Sequence, residues 1–242
     1  MSIKKFLNYS PNFDAKKRKI NQIKYLIFHY TGMKNEINAI KKLTNIKSKV
    51  SSHYIIKKNG DIITLVPDLY IAWHAGISRW RNIKSLNKYS IGIEISNPGH
   101  GSNYKNFSKK QIVSILKLSK LLIKKYKIKP QNILGHSDIA PDRKKDPGEK
   151  FPWRFFAKYK IGLWHSISNR ILIQSRGKML NKVEKKAFLK NISKIGYPDK
   201  KNDIKKIYTV KAFQRRFRQE LISGQIDKEC LLISNNLKIR FH

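Results

Sequence analysis

The chain has 242 residues, of which 40% are hydrophobic and 11% aromatic, so it can bury a core and is not a disordered chain. Its single cysteine, Cys230, excludes an intramolecular disulfide. The net charge of +38 is spread over nearly the whole length, and two explanations stay open: a compositional drift toward lysine, isoleucine and asparagine, or a polyanion-binding role.

Strand and helix signals alternate along the first 168 residues. Apolar, β-favouring runs predict strands, and apolar residues at helical spacing predict helices. The predicted elements are a strand over 24–29, a helix over 35–43, a hairpin over 53–66, a strand over 90–96, a helix over 109–126 and a strand over 132–135. This alternation indicates an α/β fold with a mixed β-sheet flanked by helices.

Strand signals are missing after about residue 169. Helical patterns cover three segments, 182–195, 207–218 and 227–237. We therefore expect two domains, an α/β domain over residues 1–168 and a small all-α three-helix domain over residues 175–242. Phe213 and Phe217 lie four positions apart on one helix and are expected to pack together.

Two histidines end predicted strands, where α/β sheets place their sites. Taken alone, a histidine in such a position, here His29 or His136, is more often a hydrogen-bonded structural residue than a metal ligand. Four of the 15 acids lie between residues 138 and 149, in a segment whose two prolines and one glycine predict a loop and not a helix. Such a loop can bring His136 and Asp146 to one ion, and two imidazoles with one carboxylate are a known catalytic zinc set.

Glu94 is the only acid between Asp68 and Asp138. Strand alternation places its side chain on the opposite face from Ile91, Ile93 and Ile95. Two interpretations remain open: a strand carboxylate paired with a lysine, or a functional carboxylate that faces a cleft.

Six motifs together resemble the zinc-dependent N-acetylmuramoyl-L-alanine amidases of the AmpD/AmiD type. They occur in the order of that family, between about residues 20 and 155. The motifs are Phe28-His29-Tyr-Thr31, Trp73-His74-Ala-Gly76, Ser90-Ile-Gly-Ile-Glu94, Gly135-His136-Ser-Asp-Ile-Ala-Pro141, Arg143-Lys144-Lys-Asp146-Pro-Gly148 and Phe151-Pro-Trp153. The resemblance implies the amidase and peptidoglycan recognition protein-like fold.

The resemblance also implies a site and a reaction. His29, His136 and Asp146 would bind one zinc ion, Glu94 would be the catalytic carboxylate, and Lys144 would steady the transition state. The amide bond hydrolysed would join the lactyl group of N-acetylmuramic acid, or of its anhydro form, to L-alanine. The expected partner is therefore peptidoglycan or a muropeptide, in wall turnover or recycling.

Residues 175–242, called the tail below, are similar to a three-helix peptidoglycan-binding module. The similarity lies in residues 210–218 and 224–229, and such a tail favours the AmiD branch of the family. The alternative is a peptidoglycan sensor on the same fold without catalysis. No helix-turn-helix, RNP or zinc-finger spacing indicates a specific nucleic-acid partner.

Other residues have weaker signals. His53, His74 and Trp73 are expected to support the fold or the ligands, and Tyr30 and Trp80 are candidates to line the substrate groove. His100, His165 and His242 show no usable pattern.

No segment is long and apolar enough to span a bilayer, and no leader is visible. The sequence as written predicts a cytoplasmic protein, or a periplasmic or envelope protein if a leader is missing, of unknown oligomeric state.

Overall fold

The computed structural model of the chain describes residues 5–198 and 203–241, with side chains except those of residues 5, 6 and 203–205. Within these ranges the strands are β1 (Lys5–Leu7), β2 (Phe13–Asp14), β3 (Tyr25–Tyr30), β4 (Tyr54–Ile56), β5 (Ile62–Thr64), β6 (Ile71–Ala72), β7 (Arg79–Trp80), β8 (Ile83–Lys84), β9 (Ser90–Ile95) and β10 (Ile133–Gly135). The helices are α1 (Glu36–Thr44), α2 (Lys109–Tyr126), α3 (His136–Ile139), α4 (Trp153–Ala157), α5 (Asn169–Ser175), α6 (Lys182–Ile195), α7 (Asp203–Phe217) and α8 (Lys228–Arg240).

A six-stranded mixed sheet forms the centre of the fold, in the order β1-β5-β4-β9-β3-β10. The four strands β4, β9, β3 and β10 run parallel to one another, whereas β5 is antiparallel to β4. The predicted mixed sheet flanked by helices is therefore confirmed. The short strands β2, β6, β7 and β8 form two separate pairs, β2 with β6 and β7 with β8, which were not predicted from the sequence.

Local sequence explains where the main helices begin. Ser108 caps α2, since its hydroxyl accepts from the Gln111 backbone NH while the Gln111 side chain bonds back to the Ser108 NH. Asn35 caps α1, Asn181 caps α6 and Asp227 caps α8 in the same way through a side-chain oxygen.

The two faces of the sheet bury different cores. Leu26 and Phe28 of β3 point to the face covered by α2, where they pack with the isoleucines of β9. Tyr25 and Ile27 point to the other face and share an apolar cluster with residues of the C-terminal helices. His29 follows in the same alternation as Tyr25 and Ile27, so it lies on the face that the C-terminal helices partly cover.

One apolar cluster joins the C-terminal helices to the sheet. It contains Phe188, Phe213 and Leu237 from the tail together with Ile27 and Trp80 from the first part of the chain. The expected pairing of Phe213 and Phe217 is present, with ring centroids 5.2 Å apart. The tail is thus packed onto the α/β part through apolar side chains.

Trp80 lies inside this cluster, and the expectation that it lines the substrate groove is wrong. Its side chain is 0% exposed, and its ring meets the edge of Tyr197 at a centroid distance of 5.0 Å. Gly196 has a φ of 141°, and a Cβ there would collide with the Trp80 ring. The glycine therefore leaves the space into which the indole fits.

The segment after His136 also differs from expectation. Residues 136–139 form one helical turn where a loop was predicted. The reason is a side-chain cap, because the Asp138 carboxylate accepts from the Gly135 backbone NH at 2.8 Å. Along the described residues, no helix combines the length and apolarity needed to cross a membrane.

Candidate active site

The sheet register brings the predicted site residues together. His29 of β3 and Glu94 of β9 are direct partners across the two parallel strands. Gly135 of β10 pairs with Phe28, so His136 follows at the level of His29. These side chains meet at the carboxyl ends of adjacent parallel strands, the usual place for a site in such sheets.

Three ligand-type atoms converge at this point. His29 Nδ1 and His136 Nδ1 lie 2.9 Å apart, and each lies 3.0 Å from Asp146 Oδ2. All three residues are buried and could hold a metal ion. Neighbouring ligand atoms of a tetrahedral zinc site are about 3.3 Å apart for bonds of 2.0–2.2 Å, so the donor types and spacing fit this ion.

The other nitrogen of each imidazole ring has a partner of its own. His29 Nε2 lies 3.0 Å from His74 Nδ1, and His136 Nε2 lies 3.2 Å from the Ala75 carbonyl oxygen. Such outer contacts orient ligating histidines and leave their Nδ1 atoms for a metal. His74 thus supports the cluster, as expected from the sequence.

Gly92 makes room for this support. The His74 ring lies directly against strand β9, and a Cβ on Gly92 would come within 2.5 Å of His74 Cγ. His74 Nε2 in turn lies 3.1 Å from the Ser90 hydroxyl, which donates to the Leu86 carbonyl. The hydrogen-bonded chain that starts at His29 and passes through His74 and Ser90 is therefore anchored to a backbone carbonyl.

Burial and mutual proximity set the charge of the cluster. Burial, and then the neighbouring His136, lower the pKa of His29 to about 4. Burial opposes ionisation of Asp146, but His136 and His29 outweigh it and lower the pKa of this carboxyl. At neutral pH the cluster therefore offers a neutral imidazole at His29 and a carboxylate at Asp146, the forms that bind cations.

Glu94 faces the same space. Its Oε2 atom is buried and lacks a hydrogen-bond partner among the described residues. Burial, and then the Asp146 carboxylate, raise the pKa of Glu94 to about 8. Of the two interpretations left open by the sequence, the arrangement favours the cleft-facing carboxylate over the lysine-paired one.

A pocket of 450 Å³ gives access to these groups. Glu94, His136 and Asp146 line it, as do Lys144, which is half-buried, and Lys145, which is exposed. A pocket that combines converging polar groups with perturbed pKa values is typical of an active site.

The rim of the pocket includes one residue that the sequence did not indicate. His100 Nδ1 lies 2.9 Å from the Tyr30 hydroxyl oxygen, and His100 Nε2 lies 2.9 Å from Glu149 Oε2. Tyr30 lines the pocket as expected, and Trp73, which was expected to support the fold or the ligands, lines it as well. No local motif marks His100, because its partners are 70 and 49 residues away in sequence.

A larger cleft of 1240 Å³ lies at the amino ends of the same strands. Eight lysines and arginines line it, and none of its lining residues is acidic. It lies at the other end of the sheet from the histidine cluster, so the smaller pocket is the candidate active site.

Residues 19–149 match the family model described as N-acetylmuramoyl-L-alanine amidase, Amidase_2. The chain is 37% identical over 232 residues to N-acetylmuramoyl-L-alanine amidase AmiD of Escherichia coli (strain K12), covering 89% of this chain and 82% of that relative. It is 40% identical over 114 residues to 1,6-anhydro-N-acetylmuramyl-L-alanine amidase AmpD of Haemophilus influenzae, covering 46% of this chain and 60% of that protein.

Two solved structures extend the likeness to the C-terminal helices. The complex of E. coli AmiD with anhydro-N-acetylmuramic acid-L-Ala-D-gamma-Glu-L-Lys superposes with a TM-score of 0.80 at 33% identity, covering 93% of this chain and 91% of that one. AmpDh3 of Pseudomonas aeruginosa gives 0.79 at 29% identity, covering 93% and 94%. The chain therefore belongs to the N-acetylmuramoyl-L-alanine amidases, as an enzyme of the AmpD/AmiD type.

Proposed function

We propose that this amidase uses one zinc ion, held by His29, His136 and Asp146, to cut the amide between the lactyl group of muramic acid and L-alanine. The observation that carries the proposal is the meeting of three ligand atoms within 3.0 Å of one another beside Glu94, whose buried Oε2 lacks a hydrogen-bond partner among the described residues. When bound, zinc supplies Lewis-acid chemistry, since it polarises a carbonyl and makes water more acidic.

Glu94 is proposed as the general base and acid. Its Oε2 faces the pocket and has no competing partner among the described residues. The ionised side chain, which a cation bound beside it would favour over the protonated form, can therefore accept the proton of the attacking water. It can then deliver that proton to the leaving L-alanine nitrogen as the carbon–nitrogen bond breaks. One carboxylate thus serves both halves of the hydrolysis.

Lys144 is proposed to stabilise the negative charge that develops on the carbonyl oxygen. It is half-buried at the pocket, and its charge acts on both His29 and Glu94. Lys145 lines the same pocket but is exposed, so water screens its charge more strongly. A cation aimed at the oxyanion from a partly desolvated position contributes more to catalysis.

The proposed substrates are muropeptides, either anhydro forms or fragments of intact wall. The support is the likeness to AmiD and AmpDh3, whose structures hold anhydromuramic peptides. Tyr30 and Trp73 place aromatic rings along the pocket, where a sugar or peptide can pack. We further propose that residues 175–242, although packed on the sheet, form the helical part that engages the wall.

The test is mass analysis of the products from a purified muropeptide, with and without a chelator. We expect release of the free stem peptide beginning with L-alanine, loss of that product after chelation, and recovery on adding zinc. The sensor alternative predicts binding of the muropeptide without product in either sample. Full turnover by metal-free protein would contradict the zinc proposal.

A further inference from the structure

The C-terminal end of α7 carries arginines that are buried. Arg215, Arg216 and Arg218 are 7%, 1% and 3% exposed. Arginine is rarely buried to this extent unless it is paired. Arg218 pairs with Asp227 inside the tail. Arg216 and Arg215 instead reach Asp138 and Glu149, which follow the proposed ligands His136 and Asp146 by two and three residues.

Arg216 joins the tail to the turn that carries His136. Its Nη1 donates to Asp138 Oδ2 at 2.5 Å, and its Nη2 donates to the Ile133 carbonyl at 2.9 Å. Its guanidinium lies over the Trp153 ring at 4.2 Å. Both members of the ion pair are 1% exposed, so water does not screen their attraction.

Asp138 receives a second bond from the tail. The Tyr197 hydroxyl donates to its Oδ1 at 2.6 Å, while Oδ2 also accepts from the Gly135 NH at 2.8 Å. The carboxylate is therefore fixed by two tail side chains on one side, and on the other it caps the helical turn on which His136 stands. Asp146 is tied to the same turn, since its carbonyl accepts from the Ser137 NH at 2.8 Å.

We propose that Arg216 is a positioning residue for the metal centre, acting through Asp138 with the help of Tyr197. This rests on the proposed function, because it takes His136 and Asp146 as the ligands. The Ala75 carbonyl fixes the far side of the His136 ring, but the backbone of the turn is fixed by Asp138. Without Arg216 the buried carboxylate loses its counter-charge, and the turn no longer has one preferred position.

A second connection runs to the rim of the pocket. Arg215 Nε lies 3.6 Å from Glu149 Oε2, Glu149 pairs with His100, and His100 bonds to the Tyr30 hydroxyl. Tyr30 directly follows the ligand His29. Through Arg216 and Arg215 the tail thus contacts both the turn that carries His136 and the rim of the pocket. An independent wall-binding unit would not require these contacts.

The experiment compares Arg216→Met with Arg218→Met in the full chain. Both changes remove a buried, paired arginine from the same helix end, and we expect both to lower the melting temperature. Zinc affinity is measured by chelator competition well below both melting temperatures. We expect Arg216→Met to bind zinc about tenfold more weakly and Arg218→Met to bind it within roughly twofold of the original protein.

Tyr197→Phe keeps the proposal testable if Arg216→Met does not fold. It removes one hydroxyl while retaining the ring, and we expect roughly threefold weaker zinc binding. Original-level zinc affinity in the folded Arg216 or Tyr197 variants, or an equal loss in Arg218→Met, would overturn the positioning role alone. If the unaltered chain itself bound no zinc, the proposed function would fail first and this inference with it.

Discussion

Replacing Trp80 with alanine tests whether the tail and the sheet form one cooperative unit. An indole of this kind buries about 150–250 Å², which corresponds to about 4–6 kcal/mol at 25 cal/mol per Å². Alanine retains part of that burial, and measured losses for buried aromatic residues are about 3–5 kcal/mol. No hydrogen bond within the described residues is lost, because Trp80 Nε1 has no partner there. We expect the free energy of unfolding to fall by about 4 kcal/mol.

That loss is a large share of the stability of an ordinary domain. For a chain of this size it lowers the melting temperature by roughly 8–16 °C. The measurement is urea unfolding followed by circular dichroism. Trp80→Phe should lose roughly half as much, because it keeps one six-membered ring in the cavity. Ile77→Ala is the matched surface control, since Ile77 is 89% exposed and should change the free energy by less than about 0.5 kcal/mol. A loss below about 1 kcal/mol in Trp80→Ala, or two separate unfolding transitions, would refute this reasoning.

Three further predictions concern the chemistry. His29→Ala and Asp146→Ala should each lose the single bound zinc while the chain stays folded, which elemental analysis and circular dichroism check; retained stoichiometric zinc would contradict the ligand set. Glu94→Gln should keep zinc and lower the hydrolysis rate by about 10²–10⁴-fold, as measured on a muropeptide, and a rate near the original would remove Glu94 from the mechanism. Lys144→Ala should slow turnover by about 10²-fold with zinc unchanged, whereas Lys145→Ala should change it little; the opposite order would shift the proposed role to Lys145.

Much of the fold could be predicted from local patterns in the sequence. Helix α2 was predicted over residues 109–126, and strand β9 was predicted with Glu94 opposite its isoleucines, because burial on one face leaves a clear period in the sequence. The two-residue strands β2, β6, β7 and β8 were not predicted, because two residues are too few to show a period, and β1 was not predicted either.

The site was predicted as a set of residues, but its support was not. His29, His136 and Asp146 were picked out by position and by motif, and the structure brings them together. His100 and Arg216 act through partners 49 to 78 residues away, and such distances leave no trace in local sequence. Trp80 was misassigned because an exposed groove aromatic and a buried interface aromatic look alike without the partner that covers them.

The packing of Trp80 has a consequence for how the protein is made. Its neighbour Arg81 donates to the carbonyl of Phe241, 160 residues further along the chain. Contacts of this range form late in folding, because a long loop must first be closed. During synthesis one apolar face of the sheet therefore stays incompletely covered until the C-terminal helices have been made. A nascent chain, or one that stops before these helices, presents that face to chaperones and proteases.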